Sequence, residues 1–380
     1  CIRDSTTTGT LESNFSVNVS GPVTAMAVSK TDSPCRLLVG HAPVKGKDFP
    51  IAQLFEIEGK DVTLKYKFRN TSSDGRRDWN GRIPTVQSVQ FAPQSDRAML
   101  SLYFREQDRD QPSDVDTGSP FGMNHLSGNQ LGYWNWSDTD SDFTLLDASK
   151  FGEMSSLVFH KDDEESQLLI VGGKGAKLWS AVDESRRDFV RLQKSFRPAS
   201  KIVTADFSYD PDTNSTKRLV VGDTEGNLRV WELEGEQWSE NAGAAVHLVG
   251  KHSSRIVSTF FHPEDPNRMI TADAIGNWRI WEFDDSSGEW AIKTQPTMDG
   301  ANRECHFAMF SPKGKRVLAG IGENAVIWKL DEEGHRVGDQ EVHIPGKVQT
   351  AAFAADGSWI VTFDGNRSLN IRDSSGTLLD

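Results

Sequence analysis

The sequence predicts an all-β fold, a seven-bladed β-propeller of four-stranded antiparallel blades whose ring is closed by the N-terminal strand completing the last blade. Three observations carry this prediction. A tryptophan that ends an alternating strand recurs at 179, 231, 281 and 328, with spacings of 52, 50 and 47 residues. A phenylalanine that ends a shorter strand recurs upstream at 159, 207, 261, 310 and 353. Runs such as Leu219-Val220-Val221 lack the polar alternation of a sheet with one wet face, so each sheet must be covered on both sides. A unit of this size cannot bury two faces alone; copies must stack and the stack must close.

The units can be taken in turn. The four clear ones read QLLIVGGKGAKLWSAVDES from Gln167, RLVVGDTEGNLRVWELEG from Arg218, RMITADAIGNWRIWEFDD from Arg268 and RVLAGIGENAVIWKLDEEG from Arg316. Each has an apolar strand, a turn of Gly, Asn or Asp, then an alternating strand closing on Trp. Two weaker copies lie upstream, marked by Val28 with Phe55 and by Phe91 with Trp136. A last copy, SWIVTFDGNRSLNIRDSSG, has Ile371 or Arg372 where the Trp would fall. The predicted blades are approximately 22–68, 85–147, 153–196, 200–249, 254–294, 303–344 and 347–373. The seventh stops after its third strand, and the alternating segment Asn14-Phe15-Ser16-Val17-Asn18-Val19 is predicted, within residues 12–20, to supply its outermost strand. One domain then spans residues 1–380.

These residues resemble the WD-repeat family of β-propellers over nearly the whole chain. The family's Gly-His pair has one loose counterpart, Gly250-Lys251-His252. Its Trp-Asp ending is replaced by Trp-Glu at 231–232 and 281–282, Trp-Ser at 179–180 and Trp-Lys at 328–329. The family's hydrogen-bonded Asp/His/Ser/Trp network is therefore expected to be mostly absent, leaving apolar packing to hold the blades.

Charge narrows the function. With 42 Lys and Arg against 55 Asp and Glu the formal net charge is −13, which repels phosphate backbones and argues against nucleic acid as partner. No apolar run approaches the ~18 residues of a membrane span. Three cysteines, at 1, 35 and 305, make neither a disulfide scaffold nor metal-site spacing. Acidity and few cysteines lean toward a cytoplasmic monomer. Residue 1 is Cys rather than Met, which predicts an excerpt of a larger multidomain protein; a lipid-modified or secreted N-terminus is the alternative.

Insertions into a repeat map to loops, often on the binding face. Three irregular stretches, 41–50, 69–84 and 105–130, are expected to emerge together over blades 1 and 2, as they would in the propellers this chain resembles. The segment Arg69–Arg82 holds four Arg against two Asp, whereas Arg105–Gln130 holds two Arg against five acids. The candidate partner-binding residues are Arg76, Arg77 and Arg82, to grip carboxylates, with Trp79, Phe121 and Met123 as buried anchors. Mutual neutralisation of these loops in solvent is the simpler reading.

Motifs for chemistry are missing. There is no G-x-S-x-G elbow, H-E-x-x-H, phosphate loop or dinucleotide fingerprint. Gly172-Gly173-Lys174-Gly175 is a turn of the repeat. The acidic stretches Asp108–Asp116 and Asp138–Asp142 lack the Gly and bidentate Glu of a calcium loop. Cys305 and His306 are consecutive on a predicted strand and point to opposite faces. The sequence thus leads to a non-enzymatic interaction platform without metal or cofactor, binding another protein or a domain of the same polypeptide. The alternative is a propeller enzyme, a hydrolase or lyase, with acids or a metal brought from several blades to the channel mouth.

Overall fold

A computed structural model describes residues 16–19, 21–29, 35–43, 50–58, 61–68, 84–92, 97–104, 128–136, 141–146, 154–159, 167–172, 175–183, 188–196, 200–210, 212–213, 215–234, 237–238, 246–295, 304–337, 341–364, 368–373 and 375–377. All the regular structure among them is β. It forms seven antiparallel sheets, each a blade whose first three strands follow one another in sequence. The innermost strands are Val23–Val28, Thr85–Phe91, Ser156–Phe159, Ile202–Tyr209, Ile256–His262, Cys305–Phe310 and Thr350–Phe353. In blade 4 the two-residue strand Gln237–Trp238 adds a short hairpin to the third strand, so that sheet has five strands rather than four.

The ring closes as the alternation predicts. Ser16–Asn18 pairs antiparallel with Ser368–Asp373, Val17 opposite Leu369, and becomes the outer strand of blade 7.

Seven apolar clusters hold the described residues together, one at each junction between successive blades, the seventh joining blade 7 to blade 1. Strand geometry explains the arrangement, because successive side chains leave opposite faces of a sheet. In blade 4, Leu219 and Val221 pack on blade 3 while Val220 packs on blade 5. Blade 1 repeats this, Leu37 and Val39 facing blade 7 and Leu38 facing blade 2. That is why the second strands read as unbroken apolar runs.

The repeating markers form a row across each blade. Phe207, Leu219 and Trp231 lie side by side in blade 4, Phe261, Met269 and Trp281 in blade 5, and Phe310, Val317 and Trp328 in blade 6. In blade 2 the row is Phe91, Ala98 and Trp134, so Trp134 takes the place the sequence suggests for Trp136. The sequence marker was displaced by two residues, a slip that a period of two leaves open and only the pairing register resolves. In blade 7 the row ends on Arg372, buried and donating to Thr362 Oγ1 and the Gly376 carbonyl.

Innermost strands present one bare edge to the channel, and side chains of the preceding blade cover part of it. Asp206 Oδ2 accepts from the Phe261 N–H at 2.8 Å, and Ser258 Oγ accepts from the Ala308 N–H at 2.9 Å. Ser155 Oγ donates to the Ile202 carbonyl at 3.2 Å. Buried backbone donors and acceptors need such partners.

Candidate functional site at the upper mouth of the channel

Pairing registers define two faces. The first residue of each inner strand lies beside the end of its second strand, as in Val23 with His41, Ile202 with Asp223, Ile256 with Asp273 and Cys305 with Ile321. Connections between blades and turns between second and third strands therefore share one face, called upper here. The ends that anchor the three irregular stretches, His41 and Ile51, Phe68 and Pro84, and Phe104 and Gly128, all lie on it. Arg76, Arg77, Trp79, Arg82, Phe121 and Met123 themselves lie outside the described residues.

In blades 4 and 5 the turns on this face are built on an aspartate. Asp223 Oδ1 accepts from the Glu225 and Asn227 N–H groups, and Asp273 Oδ1 accepts from those of Ile275 and Asn277. Gly226 sits at φ +85°, and a Cβ there would meet the His252 and Ser254 carbonyl oxygens at 2.6 Å. These hairpins of blades 4 and 5 are preorganised by side-chain bonding, which makes their part of the upper face rigid.

Blade 5 carries one complete polar network. His252 Nε2 lies 2.8 Å from Thr271 Oγ1, which also accepts from Trp281 Nε1 at 2.8 Å, and His252 Nδ1 lies 3.3 Å from Asp273 Oδ2. Burial holds the His252 pKa below the ordinary imidazole value, against the opposing pull of Asp273. Burial would raise the Asp273 carboxyl, but hydrogen bonds from His252 and Asn277 outweigh it and hold it low. His41 and His262 are lowered in the same way, burial being the largest cause for each.

These shifts fix the sign of the acid response. The unfolded chain binds protons on these imidazoles first, so their contribution to stability is full above about pH 6.5 and falls as pH drops below it. Asp273 adds a second loss below about pH 4, where its unfolded counterpart is protonated first. Guanidinium midpoints are expected to decline from pH 7.5 to 5.5 and again toward pH 3.5; a flat profile between pH 7.5 and 5.5 would refute the first part.

The channel mouth itself is marked by a bulge that recurs in five innermost strands. The register slips at Thr24, Gln87, Val203, Val257 and His306, the second residue of its strand in each case but Gln87, which is the third. A bulge frees a residue from the ladder and re-aims its side chain, and bulges are enriched beside active sites. Thr24 and Gln87 are exposed, while the other three are half-buried. His306 alone of the five has a group suited to proton transfer, and its Nε2 is buried without a hydrogen-bond partner. It lies two residues after Glu304, whose carboxylate reaches Lys347 at 3.6 Å. Neighbouring Cys305 is excluded as a nucleophile, because burial pushes its thiol up to about 12. Among the described residues, no three His, Cys, Asp or Glu are grouped to hold a metal ion, and no helix is long and apolar enough to cross a membrane.

Comparisons with known proteins add one finding. No family model matches the chain, and no curated protein matches it. Among solved structures it is similar to a Bacteroides fragilis protein described as a "putative 6-phosphogluconolactonase". The TM-score is 0.62 at 12% identity, over 93% of this chain and 95% of that one.

The likeness establishes the propeller fold from end to end. It also corrects the expectation of a non-enzymatic platform, since a propeller of the same extent carries an enzyme's name. The inference failed for a physical reason. Contiguous catalytic motifs belong to folds that gather their reacting groups on one strand–turn–helix unit, whereas a ring assembles its mouth from one residue per blade. His306 was passed over because a strand of ideal period gives it no special place; the bulge does.

Proposed function

We propose that the chain is a hydrolase that opens a lactone ring at the upper mouth of the channel. The observation that carries the proposal is the end-to-end likeness to a protein named as a lactonase. Matching chains of known structure number 1335, and one fold hosts many activities, so the likeness selects a reaction to test and the site must supply the chemistry. His306 supplies it. The half-buried His306 ring, through its exposed edge, takes a proton from water as the oxygen attacks the lactone carbonyl, and returns it to the ring oxygen as the C–O bond breaks. The product is the open hydroxy acid. Thr24 and Gln87, exposed at equivalent bulges, are the hydrogen-bonding groups assigned to substrate hydroxyls.

Blade 5's His252, Thr271, Asp273 and Trp281 network supports the WD-repeat resemblance, which we retain as a proposal of ancestry. The free, buried thiol of Cys305 fits a reducing compartment, and we assign the chain to the cytoplasm.

The test is proton release from 6-phosphogluconolactone and from unphosphorylated gluconolactone, corrected for the spontaneous rate. Saturable acceleration is expected, with His306→Ala lowering kcat/KM by about 10²–10⁴-fold, the usual worth of a positioned acid–base group. No acceleration of either lactone by the full chain would overturn the proposal. Unchanged kcat in a folded His306→Ala variant would remove His306 from it.

A further inference from the structure

The lower face carries a second feature, independent of the proposed reaction. A cavity of about 430 Å³ lies where blades 6 and 7 meet, lined by Ser311, Lys313, Lys315, Arg316, Lys329, Leu330, Asp356 and Gly357. Four cations face one carboxylate there, in a chain whose net charge is −13. The Asp356 carboxylate is occupied within its own turn, accepting from the Ser358 N–H at 2.9 Å and the Ser358 Oγ at 2.7 Å. None of the four cations makes an ion pair among the described residues.

Repeat geometry shows how this cluster arises. At the start of the second strand, blades 1, 4 and 5 place Arg36, Arg218 and Arg268 directly opposite Glu56, Glu232 and Glu282 on the third strand. All three couples form ion pairs, at 3.3, 2.7 and 3.4 Å. In blades 4 and 5 the arginine also reaches the next blade, Arg218 donating to the Pro266 carbonyl and Arg268 to the Glu332 carbonyl. Blade 6 has Arg316 in the arginine position, but the residue opposite it is Lys329. Like charges opposed across a ladder are destabilising. Lys313 and Lys315, in the turn just before Arg316, add to the repulsion rather than relieve it. At the level where blades 4 and 5 are bridged by a neutralised pair, blades 6 and 7 are separated by a basic cavity.

Its walls are fixed. The Gly314 N–H donates to the Ser311 carbonyl, Ser311 Oγ accepts from the Arg316 N–H, and the Gly357 N–H donates to the Ala354 carbonyl. A Cβ at Gly357 would lie 3.4 Å from the Pro312 Cδ, so the turns of blades 6 and 7 abut.

We infer that this cavity is a binding site for a small phosphorylated molecule. Its volume falls within the range of small-ligand sites. Its lining carries four cationic side chains, and a fork of Arg with surrounding Lys is the donor set that multiply charged phosphate attracts. An acidic or phosphorylated peptide is the rival occupant. The cavity favours the small molecule because its cations line one half-open space between two turns instead of spreading along an extended track.

Calorimetric titration of the full chain with tripolyphosphate at low ionic strength tests the inference. One saturable site is expected, and Lys329→Glu should weaken it at least tenfold. That substitution restores the couple of blades 1, 4 and 5, so its melting temperature should equal or exceed that of the parent, which separates lost binding from lost folding. Charge reversal of exposed Lys251, outside the cavity, should change the affinity less than twofold. Absence of saturable binding, equal weakening by Lys251→Glu and Lys329→Glu, or tighter binding of a phosphorylated peptide than of tripolyphosphate would each overturn it.

Discussion

A chain lacking residues 1–20 is expected to be less stable by on the order of 4 kcal/mol, a large part of the 5–15 kcal/mol that separates most folded proteins from their unfolded states. Two losses combine. The apolar surface that Val19 covers at the junction of blades 7 and 1 is opened to water and its own burial is lost, at about 1.5–3 kcal/mol. The ladder from Ser16–Asn18 to Ser368–Asn370 also disappears, each hydrogen bond being worth about 0.5–1.5 kcal/mol. The third strand of blade 7 becomes a bare edge, so the truncated chain should also associate through it. Denaturant midpoints with light scattering on both chains check this. A monomer with the parent midpoint would show that the ring does not depend on its closing strand.

Trp328→Ala should be the most damaging single substitution, at about 3–5 kcal/mol. The indole is 1% exposed and sits at the junction of blades 5 and 6, its ring centroid 5.0 Å from that of Trp278. Its Nε1 donates to Glu341 Oε1 at 2.9 Å, and Glu341 also receives Arg336 at 2.9 Å. Truncation therefore opens a large void and removes one donor from a carboxylate that knits the outer part of blade 6. Trp328→Phe keeps most of the ring and should lose much less. Equal losses for the two variants, measured by chemical denaturation, would place the indole N–H rather than packing at the centre of its role.

Much of the fold could be read from residue type and spacing alone. Trp231, Trp281 and Trp328, with Phe207, Phe261 and Phe310 ahead of them, mark the same level of three successive blades because every blade must bury a large side chain against its predecessor there. The alternation of residues 14–19 was enough to place the closing strand. In blade 2 spacing pointed to Trp136, and only the pairing register put Trp134 in the row.

The sites were less legible. His306 looks ordinary in sequence because a bulge is a property of register, and nothing in Cys-His-Phe announces it. Lys329 was visible as a departure from the Trp-Asp ending, yet its meaning depends on facing Arg316, thirteen positions earlier. Length and charge drew attention to the stretches over blades 1 and 2 instead, although neither property specifies chemistry.

The junction of first and last strands has a consequence for how the chain is made. Ser16–Asn18 leaves the ribosome about 350 residues ahead of its pairing partner, Ser368–Asp373. At the ~5–20 residues per second of synthesis, some 350 residues must follow, so the segment waits unpaired for about 20–70 seconds. Over that interval an unfinished blade 7 on a neighbouring nascent chain would accept it as readily as its own. On a crowded polysome, this pairing is where two molecules could exchange ends and emerge as an interlocked dimer.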